Sequence, residues 1–344
     1  MRTAITVTAE GDWPSIVDYV VEAERLGVSV CWTAEAWGTD AVSPLAFLAA
    51  RTERIHLASG IMQLGARTPA LTAMTALTLA RVSGNRFILG LGASGPQVME
   101  GLHGVRFAHP LGRMRETIEI VRRAFAGERI AYEGKHFQLP LPDGQGKALR
   151  LSQPANPDIP IYLATLSPKM LELTGELADG WVGTSFVPEA AASYLDPIAA
   201  GAARGGKTLA DIDICQGAEV AFGDDVDAMV ERRKPGLAFS LGGMGSATTN
   251  FYNDAYSRQG FADVAAEVQQ LWVDGKRDEA ARRVPDEMVL ATTLIGTEAM
   301  VRERLRLWRD AGVTTARFYP AGDTLDERLA TLARAVEIVA DLGV

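Results

Sequence analysis

Two rhythms of apolar residues alternate along this chain. Short runs rich in β-branched and aliphatic residues read as buried strands. The stretches between them repeat apolar residues every three or four positions, the mark of a helix with one buried face. The strand-like runs fall at 4–8, 28–32, 55–61, 87–91, 159–164, 180–183, 212–220 and 313–319. Helical patterns follow at about 12–26, 44–50, 69–82 and 110–126, then from 168, at 188–204, at 297–311 and at 324–341. The first helix has Asp12 as a cap, Pro14 in its first turn and Gly27 as a stop, with Trp13, Ile16, Val20 and Ala23 on one face. The pattern at 110–126 puts Leu111, Met114, Ile118, Val121 and Phe125 on one side.

Eight strands, each followed by a helix, predict a (β/α)8 TIM barrel in the α/β class. No linker or short repeat breaks the chain, so residues 1–344 are expected to form one domain. Two stretches fall outside the alternation and read as inserts, 99–158 after strand four and 223–290 after strand seven. The first is expected to hold the 110–126 helix, a hairpin over 130–132 and 136–139 turning at Glu133-Gly134, and a Pro- and Gly-rich loop. No regular helix is expected between Pro96 and Gly104, because Pro96, Gly101 and Gly104 interrupt it. The second insert is mostly helical and contains Leu241-Gly242-Gly243-Met244-Gly245.

Charge and composition narrow the partners. The net charge is −9 and no Lys/Arg cluster stands out, which argues against nucleic acid. No long uninterrupted apolar window predicts a membrane span, and the first residues lack a signal-peptide pattern, so a cytoplasmic protein is expected. The two cysteines, Cys31 and Cys215, sit in apolar strand runs and read as buried reduced thiols. No His/Cys/Asp/Glu spacing matches a metal site.

The densest candidate chemistry is Arg86–Gly104, RFILGLGASGPQVMEGLHG. A strand runs into Gly90, Gly92 and Gly95, where glycines let a ligand approach the backbone closely. The stretch satisfies G-x-G-x-x-G literally, but a dinucleotide fingerprint has to open a helix, and Pro96, Gly101 and Gly104 break one up. Ser167-Pro168-Lys169 opens a helix just after strand five. Its free N–H groups and ammonium suit an anion such as a phosphate, although an ordinary cap beside a solvated lysine fits the same residues. Glu35 and Trp37 lie just past strand two, where a carboxylate can move a proton or merely face water. His103 and His109 flank the glycine-rich loop as possible acids or as structural histidines. Gly60-Ile61 ends strand three ahead of Arg67-Thr68-Pro69, and Arg67 reads as a salt-bridging surface residue.

Several of these segments, in their order and spacing, resemble the luciferase-like flavin monooxygenase superfamily, and within it the branch using the deazaflavin coenzyme F420. They are Gly60-Ile61 with Arg67-Thr68-Pro69, Arg86–Gly104, Tyr162-Leu163-Ala164 with Pro168-Lys169-Met170, Ala178-Asp179-Gly180-Trp181, Gly242-Gly243-Met244-Gly245 with Asn250-Phe251-Tyr252-Asn253, and Gly296-Thr297. Methylene-tetrahydromethanopterin reductase belongs to the most similar subgroup. The resemblance implies a cofactor at the carboxyl ends of the barrel strands and a bulge with a non-proline cis peptide at Gly60–Ile61. It implies a phosphate region at Thr165, Leu166, Ser167, Pro168 and Lys169 with Gly183 and Thr184, and a ring near Gly92, Ala93, Ser94 and Gly95. Some deazaflavin relatives carry an acid near Gly95 and a histidine near Glu35. Here the acid is absent, and Glu35, then His103, are the expected proton-handling residues. The implied activity is hydride transfer between the deazaflavin C5 and a small organic substrate. The alternatives are an FMN-dependent monooxygenase fed by a separate reductase and a barrel that binds without catalysing. A homodimer through the barrel helices is also implied.

Overall fold

The computed structural model describes residues 1–245 and 249–343; residues 246–248 of the second insert and Val344 lie outside the described residues. Eight strands close on themselves: β1 Arg2–Val7, β2 Val30–Thr33, β3 His56–Ser59, β4 Phe87–Gly92, β5 Ile161–Ala164, β6 Gly180–Gly183, β7 Asp213–Phe222 and β8 Thr315–Pro320. Every neighbouring pair is parallel. The ring is completed by Arg2↔Thr315 between β1 and β8 and by Asp213↔Gly180 between β7 and β6. Eight helices surround it: α1 Trp13–Arg25, α2 Val42–Ala49, α3 Pro69–Val82, α4 Pro110–Phe125, α5 Pro168–Leu177, α6 Ala192–Arg204, α7 Glu298–Asp310 and α8 Leu325–Asp341. The predicted barrel is therefore present.

The two-residue period of the strands sorts side chains to the two faces of the wall. Ala4, Val30, Trp32, Ala58, Ile88, Tyr162, Val182 and Cys215 fill the interior. Ile5, Leu57, Leu89, Ile161, Leu163, Ile214 and Phe318 face outward against Val20, Ile118, Leu171, Ile198 and Leu305 of the helices. Burial on both faces explains why these strands read as continuous apolar runs. Both cysteines are buried free thiols, and burial pushes each up to about 12.

The amino end of the barrel carries a charge network. Arg2 Nη2 lies 2.5 Å from Asp213 Oδ2, and Tyr162 Oη and Thr315 Oγ1 each donate to the same carboxylate at 2.8 Å. The carboxyl end is open.

Three local features differ from the sequence expectation. The amphipathic helix over 110–126 packs against α3 and α5 as the fourth helix of the outer ring, so it is not part of an insert. A short helix, Pro96–Gly101, does form after β4: Gly95 caps it in extended conformation, and Pro96 occupies a first-turn position that needs no N–H partner. Strand 55–61 is interrupted. β3 stops at Ser59, the Gly60–Ile61 peptide is cis, and pairing resumes with Met62↔Leu91 and Gln63↔Gly92. The hairpin pairs Tyr132 with Leu139 as expected.

The second insert leaves β7 at Phe222 and returns as Leu294–Gly296, which pairs with β7 again. Its helices Val226–Gly242, Ala262–Val273, Arg277–Arg283 and Asp286–Thr292 share a small core of Ala238, Leu241, Val268, Ala280 and Met288. Asn250 and Asn253 fix the helix Phe251–Tyr256 to this core. The Asn250 Oδ1 accepts the N–H groups of Tyr252 and Asn253 at 3.0 and 3.1 Å, and both amides donate to Leu241 O.

Candidate functional site

The open carboxyl rim holds a cavity of about 610 Å³. Its wall comes from the ends of β2 to β6 and, from above, from the two stretches that follow β4 and β7. One side is backbone-rich: Gly60-Ile61, then Gly92, Ala93 and Ser94, then Thr165, Leu166 and Ser167, with Thr184 beyond. The other is apolar and aromatic: Trp37, Leu102, Phe107, Phe239, Met244, Phe251 and Tyr252.

Glycine shapes the first side. A Cβ at Gly92 would lie 2.8 Å from Ile61 Cγ1, and one at Gly90 would lie 1.9 Å from the Ser59 carbonyl oxygen. The Ser59 hydroxyl donates to Gly90 O and accepts from Gly90 N–H, both at 2.9 Å, which locks β3 to β4 beneath the bulge. Left-handed backbone in this loop falls on Ser94 (φ 61°), while the glycine at 95 is extended.

The start of α5 forms one corner of the cavity. Thr165 Oγ1 shares a hydrogen bond with Thr174 Oγ1 at 2.8 Å, and Trp181 Nε1 donates to Thr165 O at 2.9 Å, so the turn into the helix is fixed from behind. Ser167 caps the helix by position only, its side chain making no capping hydrogen bond, and it lines the cavity. Lys169 is exposed in the first turn and has no ion-pair partner among the described residues. Arg258 of the second insert reaches this corner and donates to Leu166 O at 2.6 Å, a contribution with no signal in the sequence.

Glu35 lines the cavity, but its carboxylate is occupied. Oε2 accepts from Arg67 Nη2 at 2.5 Å and from Ala41 N–H at 3.3 Å, and Oε1 accepts from Gln63 N–H at 3.3 Å. The Gln63 side chain donates back to Glu35 O and Ala36 O at 3.0 and 2.8 Å. The Glu35 and Arg67 side chains are only 10% and 17% exposed, so Arg67 is a partly buried partner and not a surface residue. This cluster ties the loop after β2 to the segment after the cis peptide.

Of the other expected residues, Pro168 and Lys169 flank the cavity at α5 without lining it, and Gly183 lies behind its wall. At Gly183 a Cβ would strike Gln216 Oε1 and the Trp181 ring. His103 is exposed and outside the cavity wall. His109 is exposed at the start of α4 and stacks on His136 with centroids 5.3 Å apart. Trp37, singled out in the sequence beside Glu35, is on the aromatic side, but Leu102, Phe107 and Phe239 were missed. Met244, Phe251 and Tyr252 belong to the segments 242–245 and 250–253, whose packing against the barrel mouth is set by the tertiary fold. No group of three metal-ligating side chains occurs among the described residues, and no helix there is long and apolar enough to cross a membrane.

The sequence matches the profile of the luciferase-like monooxygenase family over residues 1–315. It is 44% identical over 305 residues to a Mycobacterium tuberculosis protein provisionally assigned as a coenzyme F420-dependent oxidoreductase, covering 86% of this chain and 88% of that one. It is 31% identical over 315 residues to the 5,10-methylenetetrahydromethanopterin reductase of Archaeoglobus fulgidus, covering 91% and 92%. Among solved structures, the coenzyme F420-dependent tetrahydromethanopterin reductase of Methanopyrus kandleri superposes with a TM-score of 0.80 at 22% identity over 98% of both chains.

Proposed function

The chain belongs to the luciferase-like monooxygenase family and is an enzyme of its deazaflavin- or flavin-dependent type; within that family we propose that it is a coenzyme F420-dependent oxidoreductase acting on a small organic substrate. The observation that carries this reading is one cavity with two unlike halves, a side-chain-poor face beside an aromatic one, with an anion-accepting helix start at its edge. The glycine-shaped face between Ile61 and Ser94 suits a flat ring, and about 610 Å³ leaves room for a second small molecule. The relative named for F420 use, at 44% identity, favours the deazaflavin over FMN.

Gly60, Ile61, Gly92, Ala93 and Ser94 would support the ring. Thr165, Leu166, Ser167 and Thr184 would carry the phosphate-bearing tail, with Pro168, Lys169 and the backbone of Gly183 behind them. At the start of α5 the N–H groups and helix dipole favour an anion, and the Lys169 ammonium adds charge. When bound, the cofactor supplies a hydride equivalent, while the protein supplies position and electrostatics. Glu35 then serves as an anchor: with both oxygens engaged, it holds the rim against which the ring would rest. Its earlier expected part in proton transfer is tested by the variants discussed below.

Absorbance titration of purified protein with oxidised F420 and, separately, with FMN tests this reading. Tighter binding of F420, weakened by Lys169→Ala, is expected. Saturable binding of FMN with none of F420 would replace the proposal with the monooxygenase reading.

A further inference from the structure

The cavity has a candidate proton donor that neither Glu35 nor His103 provides. Tyr252 lines the aromatic half, and its backbone is pinned by Asn250 Oδ1. Its hydroxyl has no hydrogen-bond partner among the described residues. Other tyrosines of this interior do: Tyr162 Oη donates to Asp213, and Tyr194 Oη approaches the carbonyls of Thr184 and Ser185 at 3.4 Å. A phenol left unpartnered at a cavity wall is available to a ligand.

A second unusual group reaches Gly183, the residue next to Thr184 in the same cavity wall. Arg317, on β8, points into the barrel and is 5% exposed. It has no ion-pair partner among the described residues. Its Nη2 donates to Gly183 O at 3.2 Å, its Cζ lies 5.9 Å from the Trp32 ring centroid and 5.5 Å from that of Tyr319, and its Nε has no partner. Room for this guanidinium depends on Gly217, where a Cβ would lie 2.7 Å from Nε. Burying a cation without a counter-charge is costly unless negative charge develops nearby. Burial is the larger effect on the Tyr252 phenol and raises it, Tyr319 adds to that, and the Arg317 guanidinium opposes both.

We propose that the Tyr252 hydroxyl meets the carbonyl oxygen of an uncharged ketone or enone substrate and donates its proton to that oxygen, with the Arg317 guanidinium stabilising the tyrosinate left behind. This rests on the oxidoreductase reading above and names its substrate class. The aromatic half, Leu102, Phe107, Phe239, Met244 and Phe251, offers apolar contact and no free charge. In the step, the carbonyl carbon, or the β-carbon of an enone, takes a hydride from the co-reactant, a reduced deazaflavin or flavin. The displaced π pair collects on oxygen. Oxygen takes the Tyr252 proton as the phenolic O–H breaks, and water reprotonates the tyrosinate. The cofactor is oxidised by two electrons and the substrate is reduced by two.

The experiment compares wild-type protein with Tyr252→Phe, which keeps the ring and removes only the hydroxyl. In cofactor-free protein labelled with carbon-13 at tyrosine Cζ, the signal missing from the variant should shift on titration with cyclohex-2-enone. Reduction of that enone by reduced F420 should fall about 10²–10⁴-fold in the variant. Affinity for oxidised F420 should stay within about twofold, since the hydroxyl acts on substrate. A Tyr252 signal unmoved at the solubility limit of the enone overturns the proposal, as does a variant retaining more than about a third of wild-type turnover. If wild-type protein binds neither F420 nor FMN, the oxidoreductase reading fails, while the Cζ titration still decides whether Tyr252 meets the ligand oxygen.

Discussion

Glu35 and Arg67 give the sharpest test of how the rim is built. The pair is mostly buried, and the carboxylate also receives the N–H groups of Ala41 and Gln63. Glu35→Gln keeps the shape and one acceptor oxygen but leaves the Arg67 cation without its counter-charge. Arg67 Nε is already unpartnered, so the structure offers no spare acceptor. Breaking a buried pair by removing one member costs about 3–5 kcal/mol, and the retained amide contacts argue for the lower end, about 3 kcal/mol. With a urea m-value of about 3 kcal/mol/M for a chain of this size, the midpoint should fall by about 1 M. Arg67→Met should do similar damage, and the double variant Glu35→Gln/Arg67→Met should be little worse than either, giving a coupling energy of about 3 kcal/mol. Urea unfolding followed by circular dichroism measures all four proteins. If Glu35 instead handled a proton, its loss would abolish turnover with the urea midpoint unchanged, and Arg67→Met would not mimic it. That pair of results would refute the anchor role.

Further outcomes follow from the same geometry. Gly90→Ala, whose Cβ meets the Ser59 carbonyl at 1.9 Å, should unfold at clearly lower urea; Gly92→Ala, which meets only the movable Ile61 side chain at 2.8 Å, should fold normally but weaken F420 binding about tenfold by titration. Lys169→Ala should weaken F420 binding chiefly at low salt, the loss shrinking as ionic strength rises, because the lysine is exposed. Burial pulls the Glu116 carboxyl upward, but the N–H groups of His136, Phe137 and Lys135 together hold it below its ordinary value. Its stabilising effect is therefore complete above about pH 4.3, the unfolded value, and is lost as pH falls through the lower folded value. Wild-type protein should lose stability steeply in acid, and Glu116→Gln should be less stable at neutral pH with a shallower acid decline in urea midpoint.

The sequence alone carried the barrel. Alternating two- and 3.6-residue periods set out eight strands and eight helices, because a strand buried on both faces and a helix buried on one leave different local patterns. It also reached part of the cavity wall: Gly92 and the Ser167-Pro168 helix start were marked by their own few residues of chain, whereas the bulge at Gly60-Ile61 was legible only through the family resemblance. Ring closure and the engagement of Glu35 with a residue 32 positions away depended on long-range pairing that local pattern does not encode. The same holds for α4, whose amphipathic face was plain but whose neighbours α3 and α5 were not. Tyr252 and Arg317 lie 65 positions apart on an insert helix and a barrel strand, and only folding sets one on the cavity wall and the other against Gly183 O. Backbone preferences are local and legible in sequence, whereas the pairing of side chains across the cavity is fixed when the ring closes.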